Sequence, residues 1–356
     1  MTEGKVMYFG PTQDVISHFE RVADQMCPAN TNPADFVLAL TNKDFEGHAD
    51  IDKLADTWIS CVEKRMVQRV LKVVNHSSSS CTPHSAGFTT RLCALLSRDF
   101  KELVRDPGVI YIRLFMYSML SLLIGLMFFD LGNEHDDAAV MARTGVLFYL
   151  AAFMVFMSIA ALPFFMLQRE IFVKERCNGS YGVFEYVLSK WVVSVPGLAL
   201  LALCSSLITV FMCGLNGFGT YLLDLFLSLL FAEGFMYTMA AIVPHYIIGM
   251  ALGAGIFGFF MLCQGFLKIK SEIPDYLIWG YYMAPHTYTF RVFMYNEFSN
   301  IGALSSGIYG TGNDVLKFYD MEDTDVTTDL VVIAGFALLF QFFFGIALFY
   351  LHNGKR

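Results

Sequence analysis

The sequence predicts an all-α polytopic membrane protein, with six transmembrane helices behind a short cytosolic leader. Three observations carry this: an apolar composition, apolar runs long enough to cross a bilayer, and basic clusters that fall on one side of the resulting topology. Hydrophobic residues make up 56% of the 356 residues, aromatics 15%, and charged residues only 16%. An average soluble domain is roughly a quarter charged, so a chain of mean hydropathy +0.52 lacks the polar surface to cover a water-soluble core. Disorder is excluded because it requires low hydrophobicity. A net charge of -8 without any basic tract excludes a nucleic-acid binder.

Runs of about 20 apolar residues mark helices that can cross the hydrocarbon core. Six are found: 109–129 with Arg113 near its start, 144–167 with no charge, 186–213 with Lys190 and Pro196, 220–243 with Asp224 and Glu233, Gly-rich 246–267, and Phe-rich 330–351. None shows the strict alternation of a barrel strand. Residues 1–13 have no apolar core of a signal peptide, so the first span is expected to act as its own signal.

Lys and Arg placement sets orientation. Arg91, Arg98, Lys101 and Arg105 precede span one, and Arg169, Lys174, Arg176 and Lys190 lie between spans two and three. The loop 130–143 carries Asp130, Glu134, Asp136 and Asp137 against Arg143, and 268–329 has nine acids and four bases. With Lys355 and Arg356 at the tail, both termini are expected in the cytosol. Cys27, Cys61, Cys81, Cys93, Cys177, Cys204, Cys213 and Cys263 all avoid the large outer loop, so no exoplasmic disulfide is expected. The sequons at Asn75 and Asn178 fall on the cytosolic side and should stay unmodified.

In the leader, residues 5–9 read as a short strand or turn and 12–25 as an amphipathic helix presenting Val15, Ile16, Phe19 and Val22. Asn32-Pro33-Ala34-Asp35-Phe36 opens a further element, 49–74 is helical and charged, and 76–85 is a Ser-rich linker. Residues 88–105 place Leu92, Leu95, Leu96, Phe100 and Leu103 opposite Arg91, Arg98, Lys101 and Arg105, the pattern of a helix lying at the membrane surface. Asp106-Pro107-Gly108 then turns the chain into the bilayer. Residues 273–285, bracketed by Pro274 and Pro285 and loaded with Trp and Tyr, are too short to span and are expected as a re-entrant segment, followed by a helix through Phe298.

No Gly-x-x-x-x-Gly-Lys-Ser/Thr phosphate loop, His-Glu-x-x-His or Gly-x-Ser-x-Gly motif occurs in the sequence. Gly253, Gly255 and Gly258 match Gly-x-Gly-x-x-Gly but lie inside span five, where Gly249-x-x-x-Gly253 suits close helix packing. No catalytic residue, metal ligand or cofactor site is expected in this chain. Asp224 and Glu233 are costly in lipid and therefore candidate functional residues. Asp224 is close enough to the outer loop to reach water; Glu233 suits either a buried hydrogen bond or a polar spot near a pathway. His245 reads as a solvated turn residue.

Four patches, in order, resemble the G subfamily (white–brown complex) of ABC half-transporters. They are Gly4–Pro11 with Cys27-Pro28 and Asn32–Phe36; residues 88–107; Arg169-Glu170-Ile171-Phe172 with Glu175, Gly179, Tyr181, Tyr186, Lys190 and Pro196; and Ile273-Pro274, Tyr282, Ala284-Pro285, Tyr288 and Asn296-Glu297-Phe298. The resemblance implies a type-2 ABC transporter membrane domain, and its outer segment is most similar to lipid-exporting half-transporters of plants and algae. It implies a remnant of the ATPase domain plus linker over 1–87, a connecting helix at 88–107, and a membrane domain at 108–351 with a coupling helix at 168–180 and an outer re-entrant loop at 268–329. Arg169, Glu170, Lys174 and Glu175 would serve the coupling helix. Phe153, Phe156 and Met157 of span two, with Phe257 and Met261 of span five, would line a substrate cavity between paired half-transporters, closed by an outer plug of Phe266 and Leu267. Packing against lipid or neighbouring helices is the competing reading of each.

The same resemblance implies ATP-driven export of lipids or other hydrophobic molecules from the plasma membrane, with ATP and Mg bound by an ATPase domain in cis or in trans. The partners implied are a second half-transporter and membrane lipids. Two features depart from the pattern. Gln168 stands where the family usually has Glu, and residue 1 sits where the ATPase domain would be ending. The chain is therefore expected to be part of a longer exporter or, alternatively, an ATPase-less membrane partner that dimerises with and regulates a complete half-transporter.

Overall fold

The computed structural model describes residues 5–28, 31–42, 45, 48–60, 86–108, 110–299, 301–302, 304 and 308–352. The 49–74 helix beyond Ser60, the 76–85 linker, Cys61, Cys81, the Asn75 sequon and the basic tail Lys355-Arg356 lie outside them. The chain divides into two compact units, Met1–Ser85 and Ala86–Arg356.

The first unit is built on three short helices: α1 (Val15–Ala23), α2 (Pro33–Thr41) and α3 (Ile51–Ser60). A 3-10 turn, Thr12–Asp14, leads into α1, which Asp24 ends in the left-handed conformation. Pro33 starts α2 earlier than the sequence suggested, because Asn32 caps it by accepting from the Ala34 N–H at 3.1 Å. Met7, Phe19, Phe36, Leu40, Ile51 and Leu54 form its small core. Residues 6–9 belong to no regular element.

The second unit holds α4 (Phe88–Arg105), α5 (Tyr111–Met127), α6 (Asp137–Phe156), α7 (Leu162–Cys177), α8 (Val183–Cys213), α9 (Phe218–Ile242), α10 (Tyr246–Cys263), α11 (Ile278–Met283), α12 (Pro285–Phe298), α13 (Gly312–Phe318) and α14 (Val326–Leu351). Among the described residues, six segments are long and apolar enough to cross a membrane: Tyr111–Asn133, Asp137–Cys177, Val183–Cys213, Phe218–Ile242, Tyr246–Cys263 and Val326–Leu351. They overlap the six runs expected. We call the end carrying α4 and the close of α14 basal, and the opposite end apical.

α9 is the central post. Its apolar window is 83% buried, against 28% for those of α5, α10 and α14, and it packs on α14, α8, α12, α7, α6 and α10. Its two acids therefore face protein rather than lipid, the arrangement that makes charge tolerable at this depth.

Span two and the coupling segment form one helical rod. α6, capped by Asp136 accepting from Ala139 N–H at 3.0 Å, passes through a 3-10 stretch, Met157–Ala161, into α7. Pro163 lacks the N–H that would continue the α-helical ladder, which accounts for the break at this point. The expected separate helix at 168–180 is thus the basal part of α7, which ends at Cys177 before Gly179 turns with positive φ.

At the apical end the chain folds back. After α10, Gly265 adopts φ 95°, α11 lies against α10, and α12 inserts between α9, α14 and α6. Ten of the fourteen residues of α12 are buried, so the helix through Phe298 is an internal element, whereas Tyr276, Trp279, Tyr282 and Met283 of the segment before it are exposed. Arg143, 1% exposed, donates to the carbonyls of Leu131 (3.1 and 3.0 Å), Gly132 (2.7 Å) and Glu134, and pairs with Glu297 of α12 at 3.4 Å. Glu297 also accepts from Asn216 N–H at 2.7 Å. The loop after α5 meets the end of α8 so closely that a Cβ on Gly132 would fall 1.9 Å from the Gly214 carbonyl oxygen.

Gly249 and Gly253 also serve close packing: a Cβ there would meet Leu162 at 2.5 Å or Met236 at 2.8 Å, whereas Gly255 and Gly258 face open space. Gly335 of α14 likewise meets nothing. Gly132→Ala should therefore lower the stability of the detergent-solubilised protein by about 1–3 kcal/mol, while Gly335→Ala should raise it by about 0.4–1 kcal/mol. Thermal unfolding of the two variants side by side checks this, and equal melting temperatures would remove the close approach as a constraint.

Candidate functional site

The basal end is organised by charges on α4, α7 and α8. On α4, Asp99 follows the apolar stripe of half-buried Leu92, buried Leu95 and half-buried Leu96 and is itself only 2% exposed. Lys190 of α8 lies 3.2 Å from Asp99 and 3.5 Å from Glu102, and Ser189 donates to Asp99 at 2.8 Å. Gln168 of α7 donates to Glu102 at 3.0 Å, keeping a polar link with a neutral side chain. Arg98 meets Glu175 at 2.6 Å, and Tyr181 donates to the same carboxylate. Arg91 pairs with Glu185 at 3.4 Å. Burial would lower the Arg98 pKa, but Glu175 and Asp99 outweigh it and hold the guanidinium above its usual range. Burial, followed by Glu175, pushes the Tyr181 phenol up. Arg98 and Tyr181 therefore both keep their protons at neutral pH.

α7 also grips the ends of two spans. The last carbonyls of a helix have no partner within it and carry its negative dipole end. Arg169 Nη1 donates to Ala240 O and Val243 O, both at 2.6 Å, at the end of α9. Arg176 Nη1 donates to Leu348 O at 2.8 Å and His352 O at 2.5 Å, at the end of α14. The four residues expected to serve coupling thus divide. Arg169 and Glu175 turn inward, while Glu170 and Lys174 are exposed together with Leu167 and Ile171.

Deeper in the bundle, Arg113 of α5 pairs with Glu233 of α9 at 3.0 Å, so Glu233 is one half of a buried ion pair. A cavity of about 40 Å³ touches this pair together with Asp99, Glu102, Gln168 and Lys190, bringing the two charge clusters to one place. Asp224 does not reach water as its sequence position suggested. It is 0% exposed and has no hydrogen-bond partner among the described residues. The cause is α12, which lies along that face of α9: Ser228 bonds Thr289 at 2.6 Å and Tyr221 stacks on Phe293 at 4.5 Å. His245 is exposed.

Phe153, Phe156 and Met157 are half-buried on the span-two rod, where Tyr149 stacks on Phe153 at 4.8 Å and Phe153 on Phe156 at 6.0 Å. Met261 of α10 is half-buried too. Phe257 is not on an accessible face: it is 0% exposed, 5.0 Å from Phe235 and 5.6 Å from His286. The rotation of α10 turns it into the protomer interior. Phe266 stacks on Phe148 of α6 at 4.3 Å and edges onto Phe290 of α12 at 5.9 Å, while Leu267 is exposed.

Sequence reasoning missed Asp99, Glu102 and the carbonyl contacts of Arg176. Asp99 had a signal, since it continues the Leu92, Leu95, Leu96 stripe at helical spacing; the carbonyl contacts had none.

Residues 90–298 match the family described as ABC-2 type transporter. The chain belongs to this family. It is similar to ABC transporter G family member 1 of Petunia hybrida, 28% identical over 367 residues that cover 97% of this chain and 57% of that protein. It is also similar to G family member 11 of Arabidopsis thaliana, at 30% identity over 80% of this chain and 44% of that protein. G family member 22 of Dictyostelium discoideum is 27% identical over 100% of this chain and 59% of its own length. The chain spans about half the length of these relatives.

Removing one partner of a buried ion pair leaves the other charge uncompensated and costs about 3–5 kcal/mol, whereas replacing both with apolar groups is often neutral. Glu233→Leu should therefore depress thermal stability strongly, and Arg113→Leu combined with Glu233→Leu should recover most of the loss. A double variant no better than the single one would show that the pair is not the contact that matters.

Proposed function

We propose that this chain is the transmembrane subunit, or the transmembrane part, of an ATP-driven exporter that works as a pair of half-transporters and moves lipids or other hydrophobic molecules. Both termini would lie in the cytosol and the membrane would be the plasma membrane. The observation that carries the reading is the rod of span two. One part presents the half-buried stripe of Phe153, Phe156 and Met157; the other presents exposed Glu170, Ile171 and Lys174 while Arg169 and Arg176 hold the ends of α9 and α14.

In this reading the exposed strip docks on an ATPase domain, supplied in cis or in trans. A displacement of α7 pulls on α9 through Arg169, on α14 through Arg176, and on α4 through Gln168–Glu102 and Arg98–Glu175. Aromatic and Met side chains offer a greasy cargo area and polarisability without demanding hydrogen bonds. Phe153, Phe156, Met157 and Met261 are the cavity candidates, with Phe266 and Leu267 as the plug. Phe257, enclosed in the interior, supports the cavity wall from behind. Cargo moves because the two conformations bind it with different affinity. No phosphate-binding motif stands in this sequence, so ATP and Mg belong to the ATPase domain and no hydrolytic step is assigned to these residues. The second reading is an ATPase-less partner that dimerises with and regulates a complete half-transporter.

The test is export of a fluorescent lipid from cells expressing the native gene product. Reversing the exposed charges (Glu170→Lys with Lys174→Glu), or Ile171→Glu, should cut ATP-dependent export by about tenfold, a typical coupling free energy between linked sites, with surface expression unchanged. Undiminished export would remove the docking role. Export that appears only when a complete half-transporter is co-expressed would favour the regulatory partner.

A further inference from the structure

A groove of about 840 Å³ runs between the basal halves of α8 and α14, opening beside Arg176 and the Arg91–Glu185 pair and away from the aromatic stripe. Its walls are apolar, with Val187, Leu188, Leu338, Phe342, Ile346 and Phe349 prominent, and Gly345 keeps it open. Its mouth is not apolar: Arg176 and Glu185 line it, and Glu185 is already paired with Arg91. Two guanidiniums against one carboxylate leave the mouth net positive. Arg176 has donors to spare: only its Nη1 is used on the α14 carbonyls, which leaves further N–H groups of the guanidinium free. Trp191, in the groove wall, has a buried indole N–H with no partner among the described residues. It lies six residues beyond Glu185, roughly 9 Å deeper at the helical rise.

We infer that this groove is a binding site for an anionic glycerophospholipid. The phosphate and its negative headgroup sit at Arg176, while Arg91 offsets the charge of Glu185. An ester carbonyl, one level deeper, accepts from the Trp191 N–H, and an acyl chain fills the groove between Val187 and Phe342. The order of groups down the groove, a cation at the mouth, then the Trp191 N–H and the unpartnered Gln341 amide, with hydrocarbon walls around them, is the order of groups down such a lipid. A zwitterionic lipid fits the chain portion equally but would gain nothing from a net positive mouth. Because Arg176 also holds the carbonyls that end α14, an occupying headgroup lies against the joint between α7 and that span.

The full chain carrying Trp279→Phe, reconstituted in vesicles, reports the site through Trp191. Trp58, 4% exposed in the other unit, supplies a constant background. Lipids with brominated acyl chains quench an indole that they touch, so brominated phosphatidylglycerol and brominated phosphatidylcholine are each titrated into phosphatidylcholine vesicles. Half-quenching should need about fivefold less of the anionic lipid, the factor that one basic side chain contributes near a membrane surface, and added salt should shrink the preference. Arg176→Gln and Arg91→Gln should each reduce it, Arg176→Lys should keep most of it, and Gly345→Phe should reduce quenching by both lipids. Equal half-quenching fractions for the two lipids in the unsubstituted mouth would overturn the proposal, as would a preference that survives both Arg91→Gln and Arg176→Gln. If Arg176→Gln does not fold, the unsubstituted comparison and Arg91→Gln decide alone.

Discussion

The pairing of Arg113 with Glu233 lies where isolated charge is most expensive, inside a bundle whose outer surface meets hydrocarbon. A charge there survives only when protein surrounds it and an opposite charge meets it. Both conditions fix the architecture. The acid must sit on the most enclosed helix, which is α9, and α5 must lie close enough for its guanidinium to reach 3.0 Å. Around that post the remaining spans arrange themselves with their apolar sides outward: Phe211 of α8, Leu252 of α10 and Phe342 of α14 are all exposed. The re-entrant α12 completes the enclosure by covering the face of α9 that carries Asp224.

The same logic governs helix ends. Each span leaves its last carbonyls unpartnered, and in this fold arginines from α7 take up the ends of α9 and α14. A charge-assisted hydrogen bond to a carbonyl is stronger than a neutral one, and here it also complements the negative end of the helix dipole. These contacts join elements 71 to 176 residues apart in sequence. One helix is thereby mechanically bound to two spans, and through Glu102 and Glu175 to the surface helix α4. The family membership assigns the chain to a class of membrane transporters; the contacts explain how a push on one segment reaches several spans at once.

The six spans, the amphipathic helix α4 and the helix through Phe298 were legible in the sequence because each leaves a local trace: a run of about 20 apolar residues, an amphipathic period, or a proline at the first helical turn. Partners were not legible, since nothing local connects Arg113 to a glutamate 120 residues away. Helix rotation was equally hidden. α10 is apolar all round, so its sequence has no stripe to say which side meets protein, and Phe257 proved to face inward while Met261 stays accessible. Asp224 illustrates the reverse error. Distance from a loop suggested water, but a later segment of chain folds over it.

The two ends of the bundle are held by different means, and the difference locates where the fold can give. At the apical end a direct backbone approach, Gly132 against Gly214, lies beside fully buried side-chain contacts, Arg143 on the Leu131 and Gly132 carbonyls and Glu297 on Asn216 N–H. The Gly132–Gly214 approach tolerates little displacement, because no side chain lies between the two main chains. At the basal end long side chains do the joining, and Arg, Lys, Glu and Gln can swing through several ångströms while keeping a partner. Between the two, the span-two rod is interrupted by the 3-10 stretch Met157–Ala161, whose hydrogen-bond geometry is poorer than an α-helix's and which Pro163 keeps from closing into the regular ladder. A load applied to α7 therefore bends the rod at Met157–Ala161 sooner than it shears the apical turns, and that break directly follows the half-buried aromatic stripe.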